Sequence, residues 1–153
     1  MLGAAGVFSG DGSGGKFPKV TDMSKMFEDA TSFNGDVSGW KFPNVTNMTD
    51  MFFGATSFEG VGVSGWEFPN VTDMFGMFNG ATSFNGNVSG WEFPKVTNMS
   101  FMFEGATSFK GKFSAYARAD LRRRGVKIPE DVKRIIEIKK PKLTDDTIRD
   151  AVE

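Results

Sequence analysis

The chain has 153 residues, 39% of them hydrophobic and 24% charged, which suits one domain with a core of its own. Cysteine and histidine are both absent, which excludes disulfides, thiol nucleophiles, thiolate or imidazole metal ligands and the commonest general acid–base group. The net charge of −1 is unevenly spread: residues 1–111 carry −5 and residues 112–153 carry +4, so composition changes near residue 112.

Taken from the N-terminus, Met1-Leu2-Gly3-Ala4-Ala5-Gly6-Val7-Phe8 lacks the basic start of a signal peptide and is interrupted by glycine. No later stretch approaches the roughly 18 apolar residues of a membrane span, so no membrane insertion is expected. The bias toward 17 Phe against 1 Tyr, with 19 Gly, points to one phrase copied several times. Phe-Pro recurs at residues 17, 42, 68 and 93, a period of 25 residues with one extra residue in the second unit, at Val61-Gly62. That register aligns Val20, Val45, Val71 and Val96, and then Met23, Met48, Met74 and Met99. It also aligns Phe33, Phe58, Phe84 and Phe109, followed by Trp40, Trp66 and Trp91. The opening residues align with residues 26–42 as a worn copy, in which Gly12 and Gly15 replace Val37 and Trp40. At the other edge Phe113 falls at the Val37 position and Tyr116 at the Trp position, so the array is expected to run to about residue 116.

A single 25-residue unit has too few apolar groups to offset its ordering entropy, roughly 1 to 2 kcal/mol per residue, so copies are expected to stack and cover one another. Residues 36–42 alternate apolar and small or polar side chains at period two and predict a short strand ended by Pro43, with a second extended piece at 45–48. Met48, Met51, Phe52 and Ala55 fall on one face of a short helical turn. The expected fold is therefore a repeat solenoid, leucine-rich-repeat-like, of short parallel strands with short helical turns, over residues 1–116.

Residues 117–153 read as a basic helical cap or linker, with a possible lead into a further array. Ala115, Ala117 and Ala119 with Tyr116 and Leu121 favour a helix, Arg122 to Arg124 suit its negative end, and Gly125 suits its stop. A second helix is expected from Pro129 through Ile136, and a third from Thr144 through Val152. The abrupt end suggests a fragment of a longer protein.

The phrase at residues 44–58, followed by Ser64-Gly65-Trp66, resembles the BspA-like leucine-rich-repeat surface proteins and their 25-residue surface-lipoprotein repeat. The resemblance covers residues 1 to about 116. It implies a solenoid used at cell surfaces for adhesion or protein binding, without catalytic residues. The Phe-Pro after the Trp dipeptide departs from the usual pattern.

The Thr columns 21, 46, 72, 97 and 31, 56, 82, 107 are expected to satisfy corner backbone groups, an ice-binding lattice being the alternative. The column Asp22, Asn47, Asp73, Asn98 reads as an internal hydrogen-bonding ladder, with calcium as the sharper alternative. The Trp column is expected to be buried rather than a glycan- or peptide-binding strip. The basic group Arg118, Arg122, Arg123, Arg124, Lys127 is explained by helix-end placement, so no nucleic acid is expected. The Gly-rich residues 10–15 do not open a helix and are not a phosphate loop. No catalytic, metal or cofactor site is expected. Sequons at Asn44, Asn47, Asn70, Asn87 and Asn98 arise from the repeat itself.

The expected function is a non-catalytic module that binds a protein or cell-surface ligand, the alternative being a structural spacer. Candidate contacts are the positions where the template varies: Lys41, Glu67 and Glu92 after the Trp, Asn44, Asn70 and Lys95 after the Pro, and Asp50, Gly76 and Phe101 in the helical turn.

Overall fold

A computed structural model describes residues 15–129. Residues 1–14 of the worn first copy, the expected second helix after its first residue Pro129, which is helical, and the expected third helix lie outside the described residues. Within them the chain winds four times, once for each Phe-Pro, and like residues of successive windings stand in single files. Phe33, Phe58, Phe84 and Phe109 follow one another at ring separations of 5.7, 5.9 and 5.7 Å. Trp40, Trp66 and Trp91 are spaced by 6.1 Å. Met48, Met51, Phe52, Ala55 and Phe58 have no accessible surface, and the same holds for their copies Met74, Met77, Phe78, Ala81 and Phe84 in the next winding. These files are the core, and each winding is covered by its neighbours.

The windings are not made of the expected elements. Among the described residues there is no strand, only three isolated parallel bridges joining Asp22, Asn47, Asp73 and Asn98. Among the described residues α1, an α-helix at Ala115–Arg123, lies beyond the repeats, and the only other regular elements are a three-residue 3-10 turn at Val63–Gly65 and the helical residue Pro129 at their edge. The leucine-rich-repeat-like solenoid of short parallel strands and short helical turns is therefore not what the chain builds; it stacks windings of consecutive β-turns.

Left-handed backbone is the physical reason. Lys25, Asp50, Gly76 and Phe101 have φ of 59°, 53°, 62° and 57°, and Asp29, Gly54, Gly80 and Gly105 have φ between 57° and 74°. A left-handed residue recurring every four positions interrupts an α-helix. The segment instead forms overlapping turns, with Met26 N–H bonded to Met23 C=O, Glu28 to Lys25 and Ala30 to Phe27. In the turns 23–26 and 27–30 the left-handed residue is third, where a type II turn requires positive φ. The helical spacing of the apolar residues survives because turns of this length also return every third or fourth side chain to the core.

The expected strand at 36–42 fails for a related reason. Gly39 has φ of 79°, and Trp40 N–H bonds Val37 C=O at 3.3 Å, so the period-two pattern folds into a turn. Pro43 occupies the second position of a further turn, closed by Val45 N–H on Phe42 C=O.

The alternate N–H groups left over by the turns point along the stack. Met23, Lys25, Phe27 and Asp29 donate to Asn47, Thr49, Met51 and Phe53; the second and third windings repeat the set, all at 2.7–2.9 Å. Backbone pairing between windings is thus present, but on turn backbone rather than on strands.

After the fourth winding Ser114 caps α1, its hydroxyl accepting from Ala117 N–H at 3.0 Å. The helix stops at Gly125, φ 77°, where Val126 N–H reaches back to Leu121 C=O and Gly125 N–H to Arg122 C=O. Ala117, Leu121, Val126 and Ile128 are buried against the stack. Phe113 takes the Val position and packs on Phe93 and Phe103, but Tyr116 does not extend the Trp file: it sits in the first turn of α1 and is 70% exposed.

Candidate functional site

Two concave surfaces contain most of the variable positions. One is a cleft of about 530 Å³ between α1 and the third and fourth windings. Trp66, Glu67, Pro69, Glu92 and Pro94 form its stack side; Tyr116, Asp120, Arg123 and Arg124 form its helix side. The helix wall is held by Arg124, whose guanidinium donates to the carbonyls of Phe93 and Val96 and pairs with Asp120 at 2.9 Å. Asp120 also pairs with Arg123. The hydrogen bond from Arg124, with the two guanidinium charges, holds the Asp120 carboxyl below its usual range. Glu67 and Glu92 are exposed on the opposite wall. Lys41 approaches Glu67 at 3.9 Å, with both side chains mostly in solvent, a pair of small energetic weight.

The other is a shallow groove on the face where the Pro and Thr columns run, lined by Lys19, Asn44, Asn70, Lys95 and the Thr column. Asn44 donates to Pro18 C=O, Asn70 to Pro43 C=O, and Lys95 Nζ to Asn70 Oδ1, each at 2.8 Å. The structure thus groups Glu67 with Glu92 in the cleft, and Asn44, Asn70 and Lys95 in the groove. Lys41 stands beside Glu67. Asp50, Gly76 and Phe101 form a third column, on the turn edge, and join neither surface. There the premise that variation marks exposure fails for Gly76, which is buried, and Asp50 is half-buried. What these three share is the left-handed backbone, which admits Gly and Asp readily. Burial raises the Asp50 carboxyl above its usual range, opposed by Lys25 and assisted by Asp73.

The polar columns have local duties. Thr46, Thr72 and Thr97 each donate their hydroxyl to the preceding Thr carbonyl at 3.2 Å. Asp22, Asn47, Asp73 and Asn98 do not bridge windings through their side chains: each accepts from the N–H two residues on in its own turn, at 2.8–2.9 Å. The expected side-chain ladder is thus a row of separate turn caps, and the bridging is done by backbone. Hydrogen bonds from Ser24 hold the Asp22 carboxyl below its usual range. Trp66 and Trp91 are buried, their indole N–H groups donating to Val37 and Val63 carbonyls at 3.0 and 2.8 Å, so the Trp file is no binding strip. Among the described residues no three acidic side chains converge, and no helix is long and apolar enough to cross a membrane.

Tyr116 is the cleft residue that sequence reasoning misplaced. Of its two expected places, the Trp file and the helix-favouring run, the second holds: Ser114 caps α1 and the helix turns the ring outward.

Neither a curated protein nor a solved structure matches the chain. One family model does, over residues 6–116, which spans all four windings and stops within the first turn of α1. The chain belongs to the repeat family described as "Mycoplasma protein of unknown function, DUF285".

Proposed function

We propose that this protein is a non-catalytic binding module that takes a polypeptide partner in the cleft between α1 and the stack. One observation carries the reading: two positions at which the repeat varies, Glu67 and Glu92, face the same cleft as the 70% exposed Tyr116 and the Arg123 side chain. The invariant large side chains are meanwhile inside. An exposed aromatic beside separated acidic and basic groups suits a partner with both apolar and charged side chains. The likeness of the repeat phrase to BspA-like surface proteins supports a role in adhesion or protein binding at a cell surface.

The test is a selection of displayed peptides on the wild-type protein, followed by titration of the selected binders against Glu67→Lys/Glu92→Lys and Tyr116→Ala. Saturable binding weakened tenfold or more by either variant, with unfolding midpoints unchanged, is expected. Failure to recover any saturable binder, or binders indifferent to both variants, would leave the chain as a spacer.

A further inference from the structure

We infer that the turn edge of the fourth winding is an open docking row that accepts an added winding in trans, supplied by a polypeptide carrying the same repeat phrase. The row consists of the backbone N–H groups of Met99, Phe101, Phe103 and Gly105. Their counterparts in the first three windings each donate to a carbonyl of the following winding. In the third, Met74, Gly76, Phe78 and Gly80 donate to Asn98, Ser100, Met102 and Glu104 at 2.7–2.9 Å. In the fourth, none of the four N–H groups has an acceptor among the described residues. Unpaired donors in a regular row are a template for main-chain pairing, the basis of strand addition at sheet edges. Here the row lies on turn backbone, so an extended peptide has the wrong shape. The fitting occupant is another run of the same turns.

Three observations favour that occupant. The donors keep the left-handed geometry of the inner windings, φ 57° at Phe101 and 74° at Gly105 against 62° at Gly76 and 73° at Gly80. The Phe27, Phe52, Phe78 and Phe103 file ends here: the first three rings have no accessible surface, whereas Phe103 keeps 9%. Phe101 is 56% exposed at the same edge, resting edge-on against Phe75 of the winding below. Meanwhile α1 is anchored elsewhere, through Arg124 to the carbonyls of Phe93 and Val96. A docked winding would pair four carbonyls, extend the Phe file and cover Phe101. Residues 68–91 supply the required carbonyls, since Asp73, Phe75, Met77 and Asn79 already accept the same four bonds from the second winding.

Amide hydrogen exchange on the full chain, with and without a synthetic peptide of residues 68–91, tests this. In the free protein Met99, Phe101, Phe103 and Gly105 are expected to exchange far faster than Met74, Gly76, Phe78 and Gly80; on peptide addition they should slow saturably by about tenfold or more. A peptide of scrambled order should have no effect. A peptide with Gly76→Val and Gly80→Val, unable to take the left-handed turns, should bind at least tenfold more weakly. Four amides already slow in the free chain would overturn the inference, as would exchange unaltered by saturating peptide or slowed equally by the scrambled one.

Discussion

Residues 21–29 and residues 31–42 of the first winding are stacked on the second by different means. In the first arc the backbone does the work: Met23, Lys25, Phe27 and Asp29 donate to the next winding, and Thr21 C=O accepts from Thr46 N–H in return. In the second arc one backbone bond, from Val37 N–H to Val61 C=O, is joined by side chains. Asn34 grips Glu59, Ser57 reaches Thr31 C=O, and the Trp66 indole reaches Val37 C=O. A backbone ladder fixes residue count, whereas side chains adapt to it. The single insertion in the array, Val61-Gly62, falls in the second arc, absorbed by a left-handed Gly62 and the Val63–Gly65 3-10 turn.

The largest way to break this comparison is to insert one residue in each arc. A glycine inserted after Thr49 shifts the Asp50, Phe52 and Gly54 donors against the third winding and the Met51 and Phe53 carbonyls against the first, disrupting five bonds of about 0.5–1.5 kcal/mol each along with the apolar register. We expect a loss of roughly 5 kcal/mol or more in denaturant unfolding, enough to abolish cooperative folding. A glycine inserted after Gly35, opposite the natural insertion, should cost no more than about 1–2 kcal/mol. Equal costs would mean that the arcs are held alike.

Next in size is a cavity in the adaptable arc. Phe58 has no accessible surface and stands between Phe33 and Phe84. Phe58→Ala should lose about 3–5 kcal/mol, because rings on both sides keep the void from collapsing. Phe101→Ala on the turn edge, where the ring is mostly in solvent, should change stability by less than about 1 kcal/mol. The same unfolding curves read both.

Which parts of this molecule could be read from its residues follows from the same division. The period, the files and the buried set were legible, since a repeated phrase that retains its large apolar positions in every copy has to bury them. The secondary structure was not, because Met48, Met51, Phe52 and Ala55 satisfy a helix and a chain of turns equally well. The discriminating signal was there in the column Asp29, Gly54, Gly80, Gly105, where Gly three times out of four marks left-handed backbone. Lys25, Asp50 and Phe101 obscured the matching column, since only Gly76 announces it. At the cleft, Glu67 and Glu92 were nameable from variation alone. Their meeting with Tyr116 depends on where α1 folds back, which nothing in the repeat encodes.

A smaller test compares glycines. Gly80, φ 73°, donates in the backbone arc, whereas Gly65 has ordinary φ and open space where a Cβ would stand. Gly80→Ala should cost about 1–2 kcal/mol through left-handed strain, and Gly65→Ala should be neutral or stabilising by a few tenths. A loss at Gly65 equal to that at Gly80 would remove the argument that left-handed turns, and not glycine as such, define the winding.

The smallest effect separates the stack from α1. Asp120 joins Arg123 and Arg124, and Arg124 ties the helix to the fourth winding through Phe93 and Val96 carbonyls. The Asp120 carboxyl is held below its ordinary value of 3.8, so the folded chain binds that proton less tightly than the unfolded chain does. Its contribution is therefore present in full above the unfolded value and is lost as pH falls through the lower, folded one. Asp120→Asn should be modestly less stable than wild type near neutrality, with the gap closing as the pH drops below about 4. Measured as unfolding midpoints at pH 7, 5, 4 and 3, this is the reverse of the trend expected for Asp50. There burial raises the carboxyl, so Asp50→Asn should gain on wild type near neutrality and lose that advantage in acid. A gap at Asp120 that persists unchanged to pH 3 would mean that the arginines anchor α1 through the carbonyls alone, with the carboxylate a bystander.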